Sequence, residues 1–331
     1  MRNFQYIAAS DLREALTFLR KPETEALAGG TDLLGELKNR IKSPERIVNI
    51  GTLGEWGKIR IGRGKGLRIG AVVHLFEMEN HPSILGKFPI LAQSVSLAAT
   101  PQLRNMGTVG GNLCQHPRCW YYRSRLFPCW LKGGSKCFAV NGENRFHAIL
   151  GRGLCQSVHP SDLAPALIAL DARVKIVGAR KEREVPLGEM YTIPAQNHRQ
   201  MTVLKPGELI SEIQVSAPVK GSRGVYLKAM ERKAWSFALV SLAAQLRFER
   251  DTIAEARLVL GGTAPIPWRA IEAEEVLRGR KISEELALQA GEAAVTRARP
   301  LRDNAYKVQL VRALVSKALI TLSAPANRSA E

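Results

Sequence analysis

Two glycine-rich segments have residue types that suit phosphate binding. The first glycine segment, residues 28–32, reads Ala-Gly-Gly-Thr-Asp, and the second glycine segment, residues 108–112, reads Thr-Val-Gly-Gly-Asn. Glycine permits positive φ and close approach of a ligand to the backbone, and the N-terminus of a following helix favours negative charge. Together the segments predict a dinucleotide site, although either alone is compatible with an ordinary turn. Neither matches G-x-G-x-x-G or a Walker A motif, so nucleotide sites of those types are disfavoured.

Four cysteines follow the second glycine segment: Cys119, Cys129, Cys137 and Cys155, with nine, seven and seventeen residues between successive sulfurs. Structural zinc sites usually supply close C-x-x-C pairs, and this sequence contains none. An iron–sulfur cluster accepts wider spacings because it is larger than one ion, and four thiolates match a [4Fe–4S] cube. The spacing therefore favours a cluster, with zinc and unligated buried thiols as alternatives.

Composition is that of a globular protein. The chain has 331 residues, 45% hydrophobic and 24% charged, which is enough for two or three domains. No apolar run approaches the roughly 18 residues of a membrane span, and no apolar region follows the N-terminus as in a secretory signal. All five cysteines lie between Cys114 and Cys155, which favours reduced thiols or metal ligation over disulfides. These features predict a cytoplasmic protein.

The net charge of +18 predicts attraction to an anionic partner. Nucleic acid is disfavoured because the basic residues are scattered from Arg2 to Arg328 and aromatic residues make up only 6% of the chain. An acidic partner subunit, or a contribution to solubility, is the better explanation.

Local patterns predict the elements around these residues. A helix capped by Ser10 or Asp11 precedes a strand over residues 26–28, which runs into the first glycine segment and then a helix through Leu33 and Leu37. This order of strand, glycine turn and helix is the one that a phosphate site requires. Further strands are predicted over 46–50, 58–61 and 67–73, and a helix over 89–99.

Residues 115–153 show no sustained period, so they are expected to form a loop organised by something other than a hydrophobic core. A helix over 162–170 follows, opened by Asp162, which either caps the helix or binds a ribose or pyrimidine group. The remaining expectations are strands over 174–177, 209–215, 225–229 and 254–260, a linker over 216–224, and helices near 270–277, 284–297 and 305–322. The last of these elements fit a second, smaller domain.

Three histidines border the cysteine loop: His116, His147 and His159. No Ser or Cys nucleophile stands beside them in a triad context. Catalytic residues are therefore not predicted in this chain.

Three ordered motifs resemble one family: AGGTDLL at 28–34, LRNMGTVGGNL at 103–113 and HPSDLAPAL at 159–167. With GELI at 207–210 and GGTAPIP at 261–267, they resemble the FAD-binding medium subunit of the molybdenum hydroxylases, which include xanthine dehydrogenases, carbon monoxide dehydrogenases and aldehyde oxidoreductases. The resemblance covers nearly the whole chain. It implies an α+β fold: a two-part FAD-binding domain of the vanillyl-alcohol-oxidase (PCMH) type over 1–220, then a small α+β C-terminal domain over 225–325.

The resemblance also implies which residues bind FAD. From the glycine segments and their flanks these are Ala26, Leu27, Ala28, Gly29, Gly30, Thr31, Asp32, Leu33, Thr108, Val109, Gly110, Gly111 and Asn112. The amide of Gln115 is expected to reach the isoalloxazine, and Lys228 to point towards the flavin. Asp162 completes the expected set, and Cys114 is expected to be a packed or flavin-adjacent thiol.

The cysteine loop, residues 115–155, resembles a subgroup that contains the beta subunit of 4-hydroxybenzoyl-CoA reductase and the FAD subunit of bacterial aldehyde oxidoreductases. In that subgroup the loop carries an extra [4Fe–4S] cluster, and on this match Cys119, Cys129, Cys137 and Cys155 are its ligands. The chain would then be an electron-transfer subunit working with a [2Fe–2S] small subunit and a molybdenum-cofactor large subunit, in a heterotrimer or a dimer of heterotrimers. A self-sufficient FAD oxidase or dehydrogenase and a zinc-stabilised interaction protein are the alternatives.

Overall fold

The N-terminal part is built on a three-stranded parallel sheet. The computed structural model describes residues 1–62, 64–195 and 198–323, so residues 324–325 of the expected C-terminal domain lie outside the described residues. The sheet has the order β1–β3–β2, with β1 Gln5–Ala8, β2 Thr24–Leu27 and β3 Arg46–Asn49, connected by helices α1 Leu12–Leu19 and α2 Leu33–Lys38. The predicted strand, glycine turn and helix are therefore present around the first glycine segment.

Helix α1 begins where the sequence predicts it. The Asp11 side chain accepts a hydrogen bond from the Glu14 N–H at 2.8 Å, and the Glu14 carboxylate accepts one from the Ser10 N–H at 2.8 Å. Asp11 is thus the N-cap of the helix, and Glu14 reaches back to Ser10, the residue before the N-cap, instead of completing a capping box. Its buried face, Leu16 and Leu19 among others, packs against the three-stranded sheet.

A five-stranded antiparallel sheet forms the second part, in the order β4–β5–β8–β6–β7. Its strands are β4 Ile59–Ile61, β5 Leu67–Gly70, β6 Arg173–Val177, β7 Glu182–Pro186 and β8 Leu209–Val215. The helices between β5 and β6 are α3 Leu75–Asn80, α4 Pro82–Lys87, α5 Pro89–Ser96, α6 Pro101–Met106, α7 Val109–Leu113, α8 Trp120–Arg123 and α9 Leu163–Ala169. Apolar residues of β5, α5 and α9 share the largest core.

The C-terminal part is a four-stranded antiparallel sheet with three helices. The sheet order is β12–β11–β10–β9, with β9 Ser222–Ala229, β10 Val240–Glu249, β11 Thr252–Gly261 and β12 Trp268–Arg269. Helices α10 Ile271–Leu277, α11 Glu284–Ala293 and α12 Tyr306–Ser323 follow. Among the described residues, no helix is both long enough and apolar enough to cross a membrane.

Strand β10 was not predicted from the sequence, because both of its faces are buried. Ala243 belongs to the largest core, whereas its neighbours Leu242 and Ala244 belong to the core of the C-terminal part. A strand enclosed on both sides has no alternation of polar and apolar residues to reveal it. The linker between β8 and the C-terminal part is also shorter than the predicted range of 216–224, because β9 already begins at Ser222.

The cysteine loop is mostly irregular, as expected, but it contains helix α8 and a 3₁₀ turn, Trp130–Lys132. It has a small core of its own, built from Tyr121, Tyr122, Cys129 and Ala139.

Candidate functional site

The two glycine segments lie against each other. Gly30 has φ of 71°, a backbone conformation that favours glycine. A Cβ atom at Gly29 would lie only 1.8 Å from the carbonyl oxygen of Met106, just before the second glycine segment. Glycine is therefore required for this close approach, which brings the two segments to one place.

The first glycine segment offers unused hydrogen-bond donors. The backbone N–H groups of Gly29, Gly30, Thr31 and Asp32 have no acceptor among the described residues. Gly29, Gly30 and Asp32 are partly buried and Thr31 is exposed, and all four lie between the end of β2 and the start of α2. Successive free N–H groups before a helix N-terminus suit an anionic ligand such as a pyrophosphate.

The second glycine segment is tied to the protein instead. The Val109 N–H donates to the Val73 carbonyl at 2.9 Å, and the Gly110 N–H donates to the Ala71 carbonyl at 2.8 Å. The Gly111 N–H donates to the Thr108 hydroxyl oxygen at 3.2 Å. The two segments are thus not equivalent: the first has four free donors in succession, whereas the second has all but the Thr108 N–H hydrogen-bonded within the described residues and forms the opposite wall.

Both segments line one cavity of about 650 Å³, which we call the glycine cavity. Eleven of the residues expected to bind FAD line it: Ala26, Ala28, Gly29, Gly30, Thr31, Asp32, Leu33, Thr108, Gly110, Gly111 and Gln115. Leu27 and Val109 do not, and the Val109 side chain is buried in the largest core. Cys114 lines the cavity and also packs against that core.

Two further cavities adjoin the glycine cavity. A small cavity of about 90 Å³ shares Thr31 and Gly111 with it and adds Asn112 and Asp162. An aromatic cavity of about 240 Å³ shares Asp162 with the small cavity and is walled by Trp120, Phe146, Trp235 and Phe237. The glycine cavity, beside the free N–H groups, is therefore adjoined through the small cavity by an aromatic cavity that can accept planar rings. A dinucleotide with planar rings, such as FAD, fits this arrangement.

Asp162 and Lys228 form a buried ion pair. The Lys228 ammonium donates to Asp162 Oδ2 at 2.8 Å and to the Leu97 carbonyl at 2.8 Å, and the Tyr226 hydroxyl donates to Asp162 Oδ1 at 2.7 Å. Burial raises the pKa of the Asp162 carboxyl, whereas Lys228 and Tyr226 favour its charged form. Asp162 makes no side-chain cap to α9, so the pair instead joins α9 to β9 of the C-terminal sheet.

Lys228 lines none of these three cavities, while Asp162 lines two of them. Contact of Lys228 with the flavin stays a prediction. The Gln115 side chain is engaged within the chain: its Nε2 donates to the Asn112 carbonyl at 2.9 Å, and its Oε1 accepts from Arg118 at 3.2 Å. Its contact with an isoalloxazine is likewise still a prediction.

The four predicted cysteines come together. Cys119, Cys129, Cys137 and Cys155 all line one small space, the cysteine cavity, with Tyr121, Tyr122, Trp130, Leu131, Phe138 and Ser157. Burial, with a smaller contribution from neighbouring sulfurs, raises the pKa of Cys119 to about 12 and that of Cys155 to about 11. These pKa shifts favour the protonated thiols, and the feature that could hold a metal centre is the convergence of four cysteine sulfurs on one enclosed space.

Tyr122 and Leu131 line both the cysteine cavity and the glycine cavity. The two spaces are thus separated by single side chains. Nothing in the sequence reveals this shared wall, because the first glycine segment and the four cysteines are up to 127 positions apart, from Ala28 to Cys155.

Asp32 anchors the cysteine loop to the first glycine segment. Its Oδ1 accepts from Arg118 at 2.5 Å and from Arg123 at 2.7 Å, and its Oδ2 accepts from the His116 N–H at 2.8 Å. Cys119 lies between these two arginines in the sequence. Although burial raises the pKa of the Asp32 carboxyl, Arg118 and Arg123 outweigh it and hold that pKa below its usual range.

Glu36, one turn further along α2, extends this network. It accepts from the Tyr122 hydroxyl at 2.8 Å and lies 3.0 Å from His116 Nδ1. Asp32, Glu36 and His116 have ligand atoms within 4.8 Å of one another, as a metal site would require. Their carboxylates already bind two arginines and a tyrosine, so we assign the group to an ion-pair network.

We expect Asp32→Asn to destabilise the chain by roughly 1–3 kcal/mol at pH 7, because it removes charge-assisted hydrogen bonds, leaves Arg118 without its carboxylate partner and leaves Arg123 with only Glu36, at 3.7 Å. A depressed native pKa stabilises the fold above the unfolded carboxyl pKa of about 3.9, and this contribution is lost as pH falls through the native value. The stability difference between wild type and variant should therefore shrink below pH 4. Denaturant unfolding at several pH values measures it.

Asp251→Asn is the matched control, because Asp251 pairs with Lys281 where both side chains are about three-quarters exposed. It should change the free energy of unfolding by less than about 0.5 kcal/mol. An equal effect of both variants would contradict the anchoring role of Asp32.

Comparison with known proteins gives matches along nearly the whole chain. Residues 2–218 match the FAD binding domain in molybdopterin dehydrogenase, and residues 225–322 match the CO dehydrogenase flavoprotein C-terminal domain. The chain is 33% identical to the aldehyde oxidoreductase FAD-binding subunit PaoB of Escherichia coli, over 98% of this chain and 100% of that one. It is 27% identical to the glyceraldehyde dehydrogenase medium chain of Sulfolobus acidocaldarius, over 95% and 96%.

Solved structures agree with the predicted fold. A carbon monoxide dehydrogenase from Hydrogenophaga pseudoflava matches with a TM-score of 0.78 at 25% identity, over 97% of this chain and 96% of that one. The expected combination of an FAD-binding domain and a C-terminal domain is thereby confirmed. The chain belongs to the family of FAD-binding subunits of molybdenum hydroxylase-type oxidoreductases.

Proposed function

We propose that this chain is the FAD- and [4Fe–4S]-bearing electron-transfer subunit of a multi-subunit molybdenum-dependent oxidoreductase. It relays electrons between a [2Fe–2S] partner subunit and an external acceptor or donor. The observation that carries the proposal is the wall of Tyr122 and Leu131 shared by the glycine and cysteine cavities. When bound, FAD exchanges one or two electrons and an iron–sulfur cluster exchanges one, so the pair suits a junction between such carriers.

The residues of the first glycine segment hold the FAD pyrophosphate in this proposal. Support comes from the free N–H groups of Gly29, Gly30, Thr31 and Asp32 beside the cavity. The second glycine segment closes the opposite side with Thr108, Gly110 and Gly111, and its Asn112 lines the adjoining small cavity. Gln115, Asp162 and Lys228 orient the ring system, with the ammonium of Lys228 acting on Asp162 across 2.8 Å.

A cluster suits the cysteine cavity better than zinc does. A tetrahedral zinc with Zn–S bonds of about 2.3 Å requires sulfurs roughly 3.8 Å apart. Among the described residues, no three of the four cysteine sulfurs lie within 4.8 Å of one another. A larger centre spans such separations, and a [4Fe–4S] cube takes four thiolates. On this basis Cys119, Cys129, Cys137 and Cys155 are the ligands.

Partner subunits with acidic surface fit the charge of this chain. An open groove beside the cysteine loop is lined by Lys38, Asn39, Arg40, Arg123, Ser124 and Arg125, with no acidic residue. Within the part of the chain that the structure describes, Lys38, Arg40 and Arg125 make no ion pair. With the net charge of +18, this groove supports docking of a [2Fe–2S] or molybdenum subunit in a heterotrimer.

The relay predicts that the isolated chain is reduced by an artificial donor but turns over no aldehyde, purine or aryl-CoA thioester. The reason is that substrate chemistry belongs to a molybdenum centre on another subunit. Visible spectra during anaerobic reduction, with a parallel turnover assay, measure both properties. Flavin bands with a broad iron–sulfur shoulder are expected.

Flavin bands without iron, together with substrate oxidation by the molybdenum-free chain, would instead support a self-sufficient FAD oxidase. A colourless chain containing zinc would support an interaction protein. Either result overturns the relay.

A further inference from the structure

His147 lies against one of the four cysteines. Its Nε2 is 3.2 Å from Cys119 Sγ, within hydrogen-bond reach of sulfur, and its ring is only 3% exposed. The other ring nitrogen, Nδ1, is buried and has no partner among the described residues. A cluster-bound Cys119 sulfur would be a thiolate, which only accepts hydrogen bonds, so the ring must carry its proton on Nε2 to form this contact.

The backbone around His147 is hydrogen-bonded to Asn304, which precedes helix α12, and to Lys307 within that helix. Asn304 Nδ2 donates to the carbonyls of His147 at 3.1 Å and Ala148 at 3.2 Å. The ammonium of Lys307 donates to the carbonyls of Phe146 at 3.0 Å and Gly262 at 2.7 Å. Asn304 and Lys307 are fully buried, so the C-terminal part holds the turn that carries the imidazole, together with the hydrogen bond from the His147 N–H to the Asn144 carbonyl at 2.9 Å within the cysteine loop.

Cys119 also differs from the other three cysteines. It lines the cysteine cavity and, in addition, the aromatic cavity that contains Asp162. His147 lines the aromatic cavity as well. The His147 imidazole thus contacts Cys119, the cysteine that lines both the cysteine cavity and the aromatic cavity.

We propose that His147 is a positioning residue that donates its Nε2–H to the Cys119 sulfur and raises the reduction potential of the cluster. The inference rests on the proposed cluster. Reduction adds one negative charge, which spreads onto the ligand sulfurs, and a fixed N–H donor stabilises that charge more in the reduced state. The hydrogen bond from His147 therefore makes the cluster easier to reduce.

Three variants of the whole chain, purified anaerobically, test the inference. His147→Leu removes the donor at similar size, and His147→Gln places an amide N–H near the position of Nε2. His81→Leu is the control, because His81 accepts from the Ser83 N–H at the start of α4 and does not line the cysteine cavity. The measurements are iron and sulfide content, the cluster midpoint potential by EPR-monitored titration, and the flavin potential.

We expect about four irons in each protein, a shift of the cluster potential to more negative values in His147→Leu, and partial recovery in His147→Gln. The flavin potential and His81→Leu should match the wild type. An unchanged cluster potential in His147→Leu with full iron overturns the inference, and so does loss of iron there, which would make His147 a ligand. Absence of iron from the wild type instead overturns the proposed function itself.

Discussion

Cys129→Ser should deplete the purified chain of iron while leaving its FAD bound. Cys129 is 6% exposed and lines the cysteine cavity, and a serine hydroxyl replaces a thiolate poorly as a ligand of iron. The wild type should contain about four irons and four acid-labile sulfides, and the variant should lose most of both. Colorimetric iron and sulfide analysis, normalised to flavin absorbance, measures the change.

Cys114→Ser is the matched control in this experiment. Cys114 lines the glycine cavity and not the cysteine cavity, so its thiol is not expected to ligate iron. Its iron content should equal that of the wild type. Equal depletion in both variants, or zinc in place of iron after anaerobic purification, would contradict the cluster.

Gly30→Ala should weaken FAD binding about 5- to 30-fold. Gly30 has φ of 71°, and a non-glycine residue in that region costs roughly 1–2 kcal/mol. If the segment of the variant leaves this conformation when FAD is absent, FAD binding has to restore it, and the binding free energy is weakened by that cost. The added Cβ would approach only the flexible ends of Leu34 and Leu27, at 3.1 and 3.2 Å, so the backbone conformation dominates. Titration of the flavin-free chain with FAD, followed by flavin fluorescence, gives the dissociation constant.

Gly35→Ala is the control for the same chemical change. Gly35 lies within α2, and a Cβ there would meet no atom within 4 Å. Its affinity for FAD should equal that of the wild type. Full affinity in Gly30→Ala would contradict the assignment of the first glycine segment to the pyrophosphate.

Replacing Gly110 is a weaker test than the sequence suggests. A Cβ at Gly110 would lie 3.0 Å from Ala71, at the end of β5, and not in open cavity space. A bulky residue at this position would act mainly through packing. The first glycine segment therefore offers the clearer experiment.

The sequence was sufficient to predict features that depend on neighbouring residues. The Asp11 N-cap of α1, the turn around Gly30 and the helix after it follow from short-range hydrogen bonding and from the conformational freedom of glycine. The resemblance of three motifs gave the family and the two-part fold. The count and spacing of the cysteines pointed to a metal centre because few other arrangements need four thiols in an irregular loop.

Long-range packing decided the rest. Residues far apart in the chain form the ion pairs of Asp162 with Lys228 and of Asp32 with Arg118. Residues far apart in the chain also form the two cores between which β10 is buried. The same is true of the wall that Tyr122 forms between the glycine and cysteine cavities. A local pattern carries no information on such contacts, because they arise only when the sheets and helices pack and bring distant side chains within hydrogen-bonding distance.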